Sequence, residues 1–599
     1  MPKRASQPIV PGTAERVPMR KKKKLLKQAR EKAELLPEEL DPEDEEEEEE
    51  PKELEPDDDG DDVEAEVEEL TVIHDPGAAT RAAEGHAIAL SSDRSDKPAK
   101  FVGWLVAPLT AEEFGRDFYG KRPLLISRGG SAYLDGWFSK KEIDRQLRKC
   151  SLRWTDDIDA ASYTDGTRKT LNGEGEATSE EAWKLYHDQG CSLRLSWPQR
   201  HSDTVWRIVA LLEEHFGCGG GANAYATPPG KQGFAPHWDD IDAFILQLEG
   251  SKRWRVYAPR SAIESHPRFS SPNLEESELG PLIADVVLAP GDVLYLPRGF
   301  VHQAETPQGA GSTNADNGSL HLTVSTGRQH TWRDLLEFGL VGGLDAIASE
   351  RPEWRETLPT DLVDFTGVVH ANDGGLEFQG NDDDDDDDDD DGGGAGAGKG
   401  QEEEEEEDGS IAGRRRMVGA RLRKMLHELV DAMPLDAACD QFACQRFLYD
   451  RMAPWMPSAD AARIPAAPGE TVQLSSRVRL VTGRCARLAI EEGIAALYHC
   501  TANGRVHRGQ PEPQRIDFAI EAAPALEHLL TSYPKYVRVA KMPCDDDAQR
   551  LDIARALAEV GVLMVRADDE GEGSTGGGAA AAARGGKVAK GKKGRAGGQ

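Results

Sequence analysis

Sustained apolar patterning begins near Phe101, where aromatic and aliphatic residues return after a long polar stretch. Phe114, Phe118 and Tyr119 recur at helical spacing in AEEFGRDFYGKRP, and Pro123 must end that helix before a short apolar strand, Leu124 to Ser127. From Ala222 the period shortens. Apolar runs at Ala243 to Leu248, Trp254 to Ala258, Val286 to Leu288, Val293 to Leu296 and Leu320 to Thr326 are separated by Gly and Pro, with Gly250-Ser251 and Pro290-Gly291-Asp292 as hairpin turns. Many short strands with such turns predict a closed or double-sheet β structure, a barrel or a jelly roll.

Beyond Trp332 the helical period resumes. It is broken by an Asp/Gly/Glu insert, 381–413, and continues with Leu422, Met425, Leu426, Leu429 and Val430, then Phe442, Phe447 and Leu448. From about Glu470 to Arg566 a short strand, Thr471 to Leu474, and helices at Ala525 to Leu530 and Asp547 to Val560 predict a separate small α/β domain. The chain therefore divides into a basic and acidic tail, 1–98; a β domain, 99–330; a helical region, 331–460, holding the acidic insert; a second domain, 467–567; and a basic tail, 568–599. Leu335, Leu336, Phe338, Leu340, Val341 and Leu344 are more apolar positions than one helix packed on a barrel can hide, which predicts a homodimer through the helical region.

Charge changes this picture little. The chain's formal charge of −36 sits in the acidic runs between Glu38 and Glu69, Asp382 and Asp391, and Glu402 and Asp408, so the remainder is close to neutral. Such runs cannot bury apolar surface and belong in solvent. The cluster Arg20 to Lys24, with Lys27 and Arg30, reads as a nuclear import signal or a nucleic-acid contact, or else as a solvated tail. The eight cysteines contain no CxxC pair, and no apolar run approaches the length of a membrane helix. Reduced thiols and an N-terminus without a secretory core predict a soluble protein inside the cell.

The chemistry concentrates at Pro236-His237-Trp238-Asp239-Asp240. On an extended chain residues i and i+2 share a side, so His237 and Asp239 can face one point. Completed by a second imidazole, they form the 2-His-1-carboxylate triad that holds iron on one face and leaves positions open. An HxD pair alone arises by chance in so acidic a chain. The turn, strand and bend from Gly291 to Phe300 bring His302 to the same barrel mouth, and His237, Asp239 and His302 become the candidate metal ligands. Lys252 alternates with Trp254 and Val256; an inward lysine needs an anion, such as the distal carboxylate of 2-oxoglutarate. The other reading is a solvent-facing lysine beside Arg253.

The segments PPGKQGFAPHWDDIDAFILQLEGSKRWRVYAPR, GDVLYLPRGFVHQAET and LHLTVSTGRQHTW resemble the JmjC ribosomal oxygenases, nucleolar histidyl hydroxylases also described as histone lysine demethylases. The likeness continues through WLVAPLTAEEFGRDFYGKRPLLISR and CSLRLSWPQ and covers about 101–566 apart from the acidic insert. It implies an α+β fold: a JmjC double-stranded β-helix, cupin-like, with a helical dimerisation region and a C-terminal winged helix. It places His237, Asp239 and His302 on the Fe(II) ligands and Lys252 on the 2-oxoglutarate lysine. Asn223 and His321 fall near that co-substrate, and Arg194, Tyr225 and Ser325 near the substrate. Those five serve equally well as structural polar groups. Two departures stand out, a long loop from Pro307 to Ser319 near the site mouth and the acidic insert itself.

The resemblance implies oxygenation with dioxygen and 2-oxoglutarate as co-substrates, in the nucleus and its nucleolus. The favoured reaction is hydroxylation of a histidine in a large-subunit ribosomal protein. If the target is an N-methyl group, as on histone H3 lysine, the hydroxylated product loses formaldehyde and the outcome is demethylation. A reading from another class is a non-catalytic chromatin or ribosome-assembly scaffold. The expected winged helix offers Glu527 and no Arg/Lys cluster on its candidate helix, which leaves nucleic acid and protein as open partners.

Overall fold

The computed structural model describes residues 69–92, 96–308, 318–373, 410–506 and 511–567. Twelve strands form two sheets: β1 (Thr71–His74), β2 (Leu124–Ser127), β3 (Ile158–Thr164), β4 (Thr167–Thr170), β5 (Ser192–Ser196), β6 (Gly221–Thr227), β7 (Asp242–Glu249), β8 (Lys252–Tyr257), β9 (Leu282–Leu288), β10 (Val293–Leu296), β11 (Val301–Glu305) and β12 (Ser319–Thr326). The large sheet has nine strands in the order β1-β2-β10-β7-β12-β6-β5-β3-β4, and a three-stranded sheet, β11-β8-β9, completes the β domain.

Period-two alternation sets the layers. On β12, Leu320, Leu322 and Val324 join the main core, where the Lys97–Leu105 and Asp203–Phe216 helices contribute Phe101, Trp104, Val205 and Leu212. His321, Thr323 and Ser325 line a cavity on the other face. On β8, Trp254 and Val256 pack against Leu125, Ile245 and Leu294 of the large sheet, in a second core between the sheets. Arg253 points outward instead and pairs with Asp285 of β9 at 2.5 Å and with Glu305 of β11 at 3.1 Å. The β7–β8 turn needs a left-handed residue, supplied by Gly250 at φ 59°.

Most predicted elements lie where the pattern put them, with three corrections. Order begins well before residue 99: β1 pairs in parallel with β2, and buried Asp75 just after it binds Arg81 and, at 3.3 Å, Arg128. Four residues were too few to stand out beside an acidic run. Thr471 to Leu474 is no strand; Pro468 opens a one-turn helix, Pro468–Thr471, and leaves Val472 as an isolated core residue. The acidic insert ends before Ser410, whose hydroxyl accepts a bond from Gly413 N at 3.0 Å and caps the Ile411–Ala432 helix. Residues 1–68 and 568–599, most of the Pro307–Ser319 loop and the later acidic runs lie outside the described residues.

The Trp332–Glu350 helix packs against the chain around Leu429 and Met433 through Gly339 and Gly343, where a methyl group would stand 2.7 Å from Met433 Sδ and 2.9 Å from Leu429 Cδ1. The second domain has its own core and two three-stranded sheets, Val537–Arg538, Arg477–Leu480 and Leu563–Arg566 in one, Ala486–Glu491, Ile494–His499 and Gln514–Ala519 in the other. It is joined to the β domain by a buried cation. Arg451, 1% exposed, pairs with Glu214 at 3.0 Å and bonds Arg484 O at 2.9 Å. Beside it Glu213, pushed up to about 8 by burial, accepts bonds from Gly220 N and Met452 N. Arg451→Ala leaves Glu214 only its bond from Arg484 N and strands the Arg484 carbonyl in this seam. It should lower unfolding stability by about 3 kcal/mol in urea denaturation, and a loss under about 1 kcal/mol would show the seam to be solvated.

Candidate metal centre and its cavity

His302 lies on β11 within its ladder to β8, His237 lies outside any strand, and the two face each other across an isolated bridge. They exchange both backbone bonds, His237 N to His302 O at 3.2 Å and His302 N to His237 O at 2.9 Å, and Gly299 N adds a bond to Asp239 O at 3.2 Å. The bend before β11 depends on Gly299, at φ 86°, whose Cβ would fall 2.5 Å from Glu264 O. These bonds hold together two segments more than sixty residues apart in sequence. One donor atom from each of His237, Asp239 and His302 lies within 4.8 Å of the others.

Each imidazole is also set in orientation. His237 Nδ1 is 2.8 Å from Ala235 O and His302 Nδ1 is 3.1 Å from Phe300 O, so each Nδ1 carries the proton and each Nε2 is a free donor. Burial, with His237 alongside, pushes His302 down to about 4, which keeps it neutral near pH 7. The carboxylates nearby are sorted by their partners. Asp240 is bound by Arg328 at 3.1 Å and Asp242 by Arg298 at 2.8 Å, but among the described residues no arginine or lysine pairs with Asp239. Two ring nitrogens with free lone pairs and one carboxylate without a cationic partner are a donor set for a divalent cation.

This cluster opens onto a cavity of about 600 Å³, and every predicted site residue lines it: Arg194, Asn223, Tyr225, Lys252, His321 and Ser325 besides the three donors. Lys252 is 4% exposed, so the solvent-facing reading fails. Its Nζ donates to Thr227 Oγ1 at 3.0 Å, Thr227 in turn receives Ser192 Oγ at 2.9 Å, and among the described residues no carboxylate answers its charge. Burial pushes Lys252 down to about 7. His321, held neutral by burial, stacks on Tyr225 at 4.8 Å and leaves a buried Nδ1 without a partner. Ser325 Oγ reaches Gly221 O at 3.4 Å, and Arg194 pairs with Asp159. An orphaned ring nitrogen and a buried ammonium side by side fit a small dianion that brings acceptors of its own.

A family profile described as the JmjC domain matches residues 194–335, and one described as the ribosomal oxygenase 1 C-terminal winged helix domain matches 465–567. Ribosomal oxygenase 1 of Gallus gallus is 37% identical over 486 residues, 79% of this chain and 73% of that protein. The chain belongs to the ribosomal oxygenase family. The Homo sapiens ribosomal oxygenase 1 is 36% identical, covering 78% of this chain and 68% of that one. A Dictyostelium discoideum relative named bifunctional lysine-specific demethylase and histidyl-hydroxylase NO66 is 36% identical over 77% of this chain and 81% of its own. Among solved structures, Escherichia coli YcfD, a ribosomal oxygenase, aligns over 76% of this chain and 98% of its own at 18% identity and a TM-score of 0.40.

Membership of the ribosomal oxygenase family makes this chain an oxygenase of the JmjC type with a C-terminal winged helix. Sequence reasoning missed several residues of the site. Thr227 shares the parity of Asn223 and Tyr225 on β6, which was signal enough. Phe234 and Arg168, which line the cavity, and Asp159, which holds Arg194, come from a loop, β4 and β3 with no pattern of their own, and only the tertiary fold assembles them. Asp239→Ala should weaken Mn(II) binding about 100-fold in calorimetry, because two neutral imidazoles remain. Binding unchanged from wild type would remove Asp239 from the donor set.

Proposed function

We propose that the chain is an iron(II)- and 2-oxoglutarate-dependent oxygenase that hydroxylates a histidine side chain of a large-subunit ribosomal protein. The observation that carries this reading is the convergence, in one cavity, of an unpaired carboxylate between two oriented imidazoles and a buried ammonium without a counter-charge. His237, Asp239 and His302 would hold the iron. Lys252, braced by Thr227, would take the distal carboxylate of 2-oxoglutarate, with Asn223 and His321 beside it. Arg194, Tyr225 and Ser325 would face the substrate. When bound, iron and 2-oxoglutarate supply the dioxygen activation needed to oxidise an unactivated C–H bond. The chain's own part is to orient the two donors, exclude water from Lys252 and present the target bond at the open side of the centre.

The ribosomal substrate follows the names of the relatives, and so does a second reading. The NO66 name includes a lysine-specific demethylase, which would use the same centre to hydroxylate an N-methyl group of a histone. A scaffold with an idle site fits poorly, since it would have no use for a buried lysine kept unpaired. The basic cluster from Arg20 to Lys24 supports a nuclear and nucleolar location, though it lies outside the described residues. A homodimer is supported by the apolar stripe left on the helical region. Leu336, Leu340, Val341 and Leu344 are exposed on one helix, and Met417, Leu422, Leu426 and Val430 on the other.

Large-subunit proteins or histone H3, incubated with enzyme, iron and 2-oxoglutarate, should separate the reactions in intact-mass spectra. The expected change is a gain of one oxygen atom on a histidine peptide. Loss of methyl groups from histone alone would transfer the assignment to the demethylase. A second expectation concerns pH. Lys252 is depressed to about 7 in the unliganded protein, so it is charged below that value and increasingly neutral above it. Half-saturating 2-oxoglutarate should rise up to about tenfold per pH unit above pH 7, until the higher pKa of the complex is reached. Lys252→Ala should start high and lose this dependence; a parallel profile in both would assign the anion to another group. In analytical ultracentrifugation at micromolar concentration the wild type should sediment as a dimer, and Leu340→Glu should give monomer or insoluble protein. A monomeric wild type rules the dimer out.

A further inference from the structure

The β3–β4 hairpin extends the large sheet past β5 and carries Arg168 to the wall of the cavity. Its guanidinium lies over the ring of Phe234, 4.6 Å from the centroid, and Arg194 approaches the same ring at 6.0 Å. Phe234 meets Tyr225 edge-on at 5.4 Å, and Tyr225 stacks on His321. A continuous aromatic column thus runs from Arg168 toward the metal ligands.

The two arginines differ in what answers their charge. Arg194 is bound to Asp159, which is buried and further fixed by Asn172 Nδ2 at 2.8 Å. Arg168 has no carboxylate partner and no hydrogen bond among the described residues; its Nε, like that of Arg194, is buried and unpaired. Stacking on Phe234 uses the face of the guanidinium and none of its five donors. Burial, together with Arg194 beside it, makes the charge on Arg168 harder to hold. Bracing Phe234 alone would call for a leucine or methionine, which would cover the ring without stranding a donor.

We propose that Arg168 is a specificity-determining residue that reads the substrate peptide, donating to a pair of acceptor oxygens in the segment flanking the target residue. Those oxygens belong either to an Asp or Glu side chain or to consecutive main-chain carbonyls; a planar guanidinium suits both. Arg194, bound to Asp159 through one terminal nitrogen, faces the substrate beside it together with Tyr225. This inference rests on the protein-substrate reading above.

The test uses the full chain and a synthetic peptide spanning the residue modified in the large-subunit mixture. Arg168→Gln should raise the half-saturating peptide concentration about tenfold or more, with a smaller change in maximal rate. The wild-type value should rise with ionic strength, and the variant's should stay flat. Arg168→Lys distinguishes the sources: recovery close to wild type means a carboxylate, and a loss equal to that of Gln means main-chain carbonyls needing the forked geometry. Half-saturation in Arg168→Gln within about twofold of wild type would overturn the inference while leaving the hydroxylase reading intact. If the wild type modifies no protein in the mixture, the ribosomal reading fails, and Arg168 as a reader of that substrate fails with it.

Discussion

The paired backbone bonds between His237 and His302 are the constraint on which the site depends. Side-chain donors from two distant segments can converge only if their backbones are fixed to within a few tenths of an ångström, and loops alone do not provide that. Here an isolated pair of residues is locked together at the end of the sheets. Each ring then needs only a neighbouring carbonyl to select its tautomer. Gly299 makes the arrangement possible, because no side chain fits where its Cβ would go. The candidate metal centre is therefore written into the main chain first and into the side chains second.

The remainder of the cavity is organised by charges left unanswered. Asp239 among three neighbouring acidic residues, Lys252 among buried apolar ones and Arg168 beside a neutralised Arg194 all lack the partner their surroundings would ordinarily supply. Buried ions without partners destabilise a fold. Of the three, Lys252 is buried and Asp239 and Arg168 are half-buried, so ligands that answer their charges would stabilise the folded state. The large core behind β12 and β7, with its dense aromatic packing, offsets that deficit.

Much of this was legible in the sequence because β structure writes its faces with period two. The alternation of Lys252, Trp254 and Val256 offered an inward lysine beside a solvent-facing alternative, whereas His321 and Ser325 entered only through the family resemblance. The triad was legible for the same reason, once His302 could be tied to a strand and bend. What escaped were groups whose role lies in a partner far along the chain. Asp159 against Arg194 and Arg451 against Glu214 leave no local trace. Strand β1 escaped because four residues beside an acidic run, two half-buried and two exposed, carry too little apolar signal, and the Thr471 to Leu474 run misled because only Val472 is buried and Leu474 is half-buried.

The depth at which Lys252 lies has a kinetic consequence. The ammonium is almost wholly enclosed, whereas Arg168 and Arg194 stand half-buried at the wall where a peptide would lie. A small acid destined for Lys252 must pass through the space that the peptide later fills. On the proposed function, shape would favour an order in which the acid enters before the peptide covers it.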